Sequence, residues 1–241
     1  MSAPTPTIAS VTDRMAGHLN RRASQPLMGV KRKLWRKDDE HADIADKAFD
    51  TIRTEVLKRD GHACCFCHFR SSKYQEVHHL DDDHKHNTVD NLVTVCTLCH
   101  QVFHVGLAGM RGAGYFAALP ELTQTEVNHI VRTIYVGDLI EAQPVRDKYT
   151  SLLAIFESRG SDLAKRTFVG TDFSQPLVLA PMLSEHDDIF DNRGIHFQDL
   201  RLVATREAFH PGQLDYYAAN MKAIMHSETA IKLYHQMVEQ G

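Results

Sequence analysis

Two cysteine pairs in this chain have the spacing of metal ligands: Cys64 with Cys67 in "CCFC", and Cys96 with Cys99 in "CTLC". A C-x-x-C turn lets two thiolates converge on one ion at about 2.3 Å, and two such turns complete a tetrahedron. The spacing therefore predicts a zinc ion on Cys64, Cys67, Cys96 and Cys99. Four thiolates leave no coordination position open, so this zinc is structural, and its binding energy is folding energy for the segment it staples. Cys65 is the surplus cysteine. It reads as pointing away from the metal, with substitution for Cys64 as a strained alternative. Disulfides are the rival reading, disfavoured because no secretory signal precedes the pairs and because their spacing suits metal.

Between the pairs, "QEVHHLDDDHKHNTVDNLVTVC" reads as strand, loop, strand. Neighbouring strand residues point to opposite faces, so His78 and His79 serve different ends. After Cys99, "HQVFHVG" reads as a short helix with His100 and His104 on one face. With His78 they could form a three-histidine site, open to water and a phosphate oxygen, whose metal would stabilise a leaving oxyanion. Neutral imidazoles suit zinc or nickel, and an open site also accepts magnesium or manganese weakly. The order of cysteine pair, HH, Asn91, cysteine pair and His100 is that of a zinc-stapled HNH (ββα-metal) module. In that reading His78 is a ligand, His79 is the general base that activates water, and Asn91 holds the His79 region through its side-chain amide. Sixteen histidines make some neighbours cheap, and His62, His68, His84 and His86 read as loop residues. An HNH fold does not by itself imply a nuclease, so scaffold and endonuclease both stand as readings.

The elements that must position these residues follow from patterning. The fold class is α+β: a basic arm over residues 1–37, an HNH-like ββα module with the four-cysteine site over 38–118, and a mainly helical C-terminal region over 119–241 packed on it. Apolar residues spaced by four (Ile44, Ala48, Ile52, Val56) predict a helix before the first cysteine pair, stopped by Gly61. The glycine-rich "VGLAGMRGAGYF" reads as a plain loop or a backbone approach to a partner, and lacks the Lys-Ser/Thr of a phosphate-binding loop. Thr123 and Glu126 form a capping box for a helix with the stripe Val127, Ile130, Val131, Ile134 and Tyr135. Further helices are predicted at about 146–159, 161–168, 183–191, 212–225 and 227–239. "HFQDLRLVATREAF" reads as extended, then helical. Residues 1–25 read as disordered and Leu27 to Trp35 as a short strand.

Charge is uneven. Eight Lys or Arg and one acid in residues 1–37 give +7, which leaves −11 for the remainder of a chain with formal net charge −4. An acidic body is a poor generic platform for DNA, although the arm could supply positive charge. No apolar run reaches the roughly 20 residues of a membrane helix, so no membrane insertion is expected.

Several segments together resemble the IcmJ/DotN family of type IVB (Dot/Icm) secretion systems and related conjugative systems: "VLKRDGHACCFCHF", "DNLVTVCTLCHQVF", the glycine run, "DLRLVATREAF" and above all "LPELTQTEVNHIVRTIY". The resemblance is close over residues 45–140 and patchy to about 215. It implies a cytoplasmic subunit of a coupling complex, docked on the coupling ATPase at the inner membrane, with structural zinc on the four cysteines. In that family the HNH-like fold is a scaffold without the full nuclease set. Here His78, His79, Asn91 and His100 are all present, which keeps DNA in view as a partner and a second divalent cation in view as a cofactor.

Overall fold

Helix α1 (Ala42–Arg59) leads into the first cysteine pair, and its C-terminal end is fixed by its own backbone. Gly61 and His62 both adopt left-handed φ, at 56° and 55°, and their amides return to Lys58 and Leu57 carbonyls. The side chains at and just past the end of α1 then reach across to the next elements: Arg59 donates to the Val89 and Leu92 carbonyls, and Asp60 accepts from the Thr94 amide. Val56 and Leu57 pack with Val77 and Leu92 in a small core under this junction. The computed structural model describes residues 26–30, 42–81, 83, 86–165 and 172–220.

A tight knuckle follows, closed by a bridge between Ala63 and Arg70 and by left-handed His68 at φ 58°. Strands β1 (Gln75–His79) and β2 (Leu92–Cys96) form an antiparallel pair with His78 opposite Val93 and Gln75 opposite Cys96. Helix α2 (Thr97–Val102) starts directly from the end of β2. The local order is thus strand, strand, helix.

The glycine-rich stretch predicted as a loop is instead helix α3 (Val105–Met110) followed by strand β3 (Gly114–Ala118). Its glycines serve close approach. A Cβ at Gly109 would lie 2.8 Å from the backbone nitrogen of Leu177, whereas Gly112 takes φ +62° at the turn between the two elements.

Helix α4 (Gln124–Ile140) begins at the predicted capping box: Thr123 Oγ1 accepts from the Glu126 amide, and the Glu126 carboxylate accepts from the Thr123 amide. Helix α5 (Gln143–Lys165) runs without a break at Gly160, because that glycine lets it approach the Tyr115 ring and the Phe116 carbonyl of β3. Helices α6 (Pro176–Glu185), α7 (Asp187–Asp191) and α8 (Arg193–His196) lead to strand β4 (Leu200–Ala204). The segment "HFQDLRLVATREAF", expected to be extended and then helical, instead begins at the end of α8 and in a turn, is extended over β4, and continues into one 3-10 turn (Arg206–Ala208) and helix α9 (Gln213–Asn220). Strand β4 pairs antiparallel with β3, Phe116 opposite Leu202.

One buried cluster runs from the cysteine knuckle through α4 and α5 to Tyr217 of α9. A second joins Val102, Val105, Phe116, Leu179 and Leu202, and it includes Met28 and Val30. The segment carrying those two residues is tied down by bonds between Gly29 and both Val102 and Val105. The predicted disorder of residues 1–25, the 31–35 part of the predicted strand and the helix at 227–239 lie outside the described residues. No described helix is long and apolar enough to cross a membrane.

Gln124 fastens α4 to β4. Its amide donates to the Leu202 carbonyl and accepts from the Leu202 amide, each at 2.8 Å. Gln124→Ala leaves two buried backbone groups without this partner. It should destabilise the fold by roughly 2–4 kcal/mol in chemical denaturation, with Gln124→Leu no better because it restores volume and not the bonds.

Candidate metal centres

The knuckle and the β2–α2 junction bring four sulfurs together. The Sγ atoms of Cys64, Cys67, Cys96 and Cys99 lie within 4.8 Å of one another, all four residues buried. Cys67 and Cys96 are 3.6 Å apart. A zinc tetrahedron with sulfurs at about 2.3 Å has edges of about 3.8 Å, so the donor set and its spacing fit a four-coordinate ion. None of the five cysteines is in a disulfide. The local backbone explains the geometry. In the knuckle, the Cys64 amide donates to the Phe69 carbonyl and the His68 amide to the Cys64 carbonyl, folding Cys64 and Cys67 toward each other. Cys96 caps α2, its sulfur accepting from the Cys99 amide at 3.5 Å. Cys65 stands outside the cluster. Its amide bonds the Thr94 carbonyl, and burial pushes its thiol well above the usual range.

Helix α4 covers the cluster with polar side chains that sequence reasoning left unassigned. Asn128 donates to Cys99 Sγ at 3.3 Å and Arg132 to Cys96 Sγ at 3.1 Å. His129 bonds the Cys67 carbonyl at 2.8 Å. Since that bond makes Nε2 the donor, Nδ1 is free to accept from Arg132, 3.3 Å away. The guanidinium lies 3.8 Å over the Phe69 ring. Gln124, Asn128 and Arg132 are spaced by four and all buried, a polar stripe on the inner face of α4 running from β4 to the sulfurs. The signal was available: three polar residues at i, i+4 and i+8 beside an apolar stripe.

Hydrogen bonds with the other sulfurs, Cys64 first, and the Arg132 charge hold the Cys67 thiol below its usual range against the effect of burial.

A second group forms on the other side of α2. Ligand nitrogens of His78, His100 and His104 lie within 4.8 Å of one another. His78 stacks on Phe103 with ring centroids 4.3 Å apart. Glu76 orients His100, Oε2 to Nδ1 at 2.7 Å, leaving Nε2 turned toward His104 at 3.2 Å. A carboxylate behind an imidazole is the usual support for a metal-binding histidine.

His79 points to the opposite face of β1. Its ring stacks on Phe49 of α1 at 5.5 Å, its Nε2 meets Asn87 Oδ1 at 2.8 Å, and the residue is 3% exposed. Asn91 does not bond the His79 ring. Its amide donates to Asp81 Oδ1 and to the His86 carbonyl, at 2.8 and 2.9 Å, fixing the loop that leaves His79. The structure thus gathers the four predicted cysteines and the three predicted histidines, and it separates His79 from the latter.

Glu76 also accepts from His210, at 2.9 Å, tying the segment before α9 to β1. Burial pushes the Glu76 carboxyl up, but bonds from His100 and His210 more than reverse this and hold it well below the usual carboxylate range. The bond to Glu76 in turn raises the His210 imidazole, against some loss from burial. A raised histidine stabilises the fold fully below its unfolded value near 6.5, and the contribution fades as pH rises through the folded value. His210 is largely exposed, so the effect is small. His210→Gln should lose up to about 1 kcal/mol near pH 6 and nothing by about pH 9, measured as denaturation midpoints across pH.

No family model matches the chain. Over 178 residues, covering 73% of this chain and 81% of the relative, it is 28% identical to the Type 4 apparatus protein DotN of Legionella pneumophila. That likeness agrees with the resemblance noted in the sequence, to the IcmJ/DotN family of Dot/Icm type IV systems.

Proposed function

We propose that the chain is a subunit of a type IV secretion apparatus, in the cytoplasm and held at the inner membrane through its partners, where a zinc-stapled HNH-like module serves as a scaffold for binding the coupling ATPase. The observation that carries this reading is the likeness to DotN across most of both chains. The closed cysteine cluster supports it. Cys64, Cys67, Cys96 and Cys99 would hold zinc, and the ion supplies cross-linking of knuckle, strand and helix, with no position left for a reactant. The division of labour proposed is a metal-bearing module over 38–118 with the region 119–241 packed on it. The experiment is affinity purification of the tagged chain from its native host: the coupling ATPase is expected as a stoichiometric partner. A chain recovered alone, from cells that express the apparatus, contradicts the reading.

A metal-dependent HNH endonuclease is the second reading, favoured by one observation: His78, His100 and His104 converge with Glu76 behind His100. Those histidines would hold a divalent cation that polarises a phosphate oxygen. Against it, the assigned base His79 is buried on the opposite face of β1. We expect no plasmid nicking with Mg²⁺, Mn²⁺ or Ni²⁺. Nicking that His79→Ala abolishes would establish the enzyme instead, whereas activity surviving that substitution would mark a contaminant.

A further inference from the structure

Arg132 is 1% exposed, and among the described residues it makes no ion pair with a carboxylate. A guanidinium stays charged in proteins, and a buried charge needs a counter-charge. Its surroundings are the Phe69 ring face, the His129 imidazole and the Cys96 sulfur. Only the sulfur can bring negative charge. Four thiolates around a divalent ion make a doubly negative centre, which has the same problem in reverse: it is sealed in the core with all four cysteines buried.

We propose that Arg132 is the fixed counter-cation of the metal–thiolate centre, so that the bound ion and helix α4 hold each other in place. Each buried charge answers the other. The guanidinium cancels half of the excess negative charge, and Asn128, donating to Cys99, supplies the neighbouring dipole. Phe69 serves both partners. It belongs to the knuckle that carries Cys64 and Cys67, and it presents its ring to the cation. The consequence reaches past the knuckle. Helix α4 also carries Gln124 on β4, so the centre, α4 and the β3–β4 pair form one electrostatically fastened unit. This inference rests on the zinc reading of the four cysteines and adds a residue that the ligand set does not contain.

The test compares zinc affinity of the full chain, by competition with a chromophoric chelator, in wild type, Arg132→Lys, Arg132→Gln and Arg132→Met. Val131→Ala, a loss of buried volume on the same helix, sets the cost of packing alone. The neutral variants should bind zinc about ten- to a hundredfold more weakly, beyond the Val131→Ala value, with the lysine variant keeping most of the affinity. With Co²⁺ in place of zinc, the thiolate charge-transfer bands should shift in the neutral variants and not in Val131→Ala. If a neutral variant is unfolded as purified, it should refold at about ten- to a hundredfold more zinc than wild type needs, and failure to refold at any zinc concentration counts against the proposal. Equal losses for lysine and glutamine, or neutral variants that match Val131→Ala, would overturn the role of charge. Wild-type protein without zinc would sink the staple reading itself, whereas zinc-bearing wild type with unaffected variants sinks only the role of Arg132.

Discussion

Four sulfurs confined within 4.8 Å of one another are the constraint on which the rest of the chain depends. They arrive from three elements: a knuckle, the last residue of β2 and the first turn of α2. None of these is long enough to be stable by itself. The knuckle uses a left-handed His68 to close, a backbone strain held in place by the knuckle's own hydrogen bonds and the Ala63–Arg70 bridge. Helix α4 then settles over the cluster with Asn128, His129 and Arg132, and α5, β4 and α9 pack on it, while α6 packs on α3 and β3. The centre therefore organises the C-terminal half as well as the segment that contains the ligands.

The same hairpin presents two sites with opposite character. On one side the sulfurs are closed off, and a filled tetrahedron has nothing to offer a substrate. On the other, three histidines converge with a carboxylate behind one of them, an arrangement able to accept an ion with positions to spare. What separates binding from catalysis here is the alternation of β1. It turns His78 toward His100 and His104, and it turns His79 under Phe49 of α1. A base that faces α1 does not share a reaction space with an ion that faces α2. The likeness to a type 4 apparatus protein is in keeping with that separation.

Much of the ligand geometry was legible in the sequence because it is local. C-x-x-C turns, an i,i+4 histidine pair and a strand doublet have spacings that fix direction. Thr123 and Glu126 announced the start of α4 for the same reason. What was hidden depends on distant partners. The pairing of β3 with β4 joins residues more than eighty positions apart, and nothing in "GYFAA" names its partner. Glycines 109 and 160 read as breaks because flexibility is glycine's local property, while their role is to let Leu177 and Tyr115 come close. Arg132 went unassigned, because a charged residue on a helix carries no local sign of burial. Only the packing shows that its face is inward and that its partner is a sulfur. Glu76 and His210 were missed likewise, being linked across the whole C-terminal region.

The most direct measurement is X-ray absorption at the zinc edge on the purified chain. A single first shell of four sulfurs at about 2.3 Å is expected, with no nitrogen or oxygen scatterer at shorter distance. A shell containing imidazole nitrogen in place of sulfur, or folded protein with no metal and with the cysteines joined as disulfides, would contradict it.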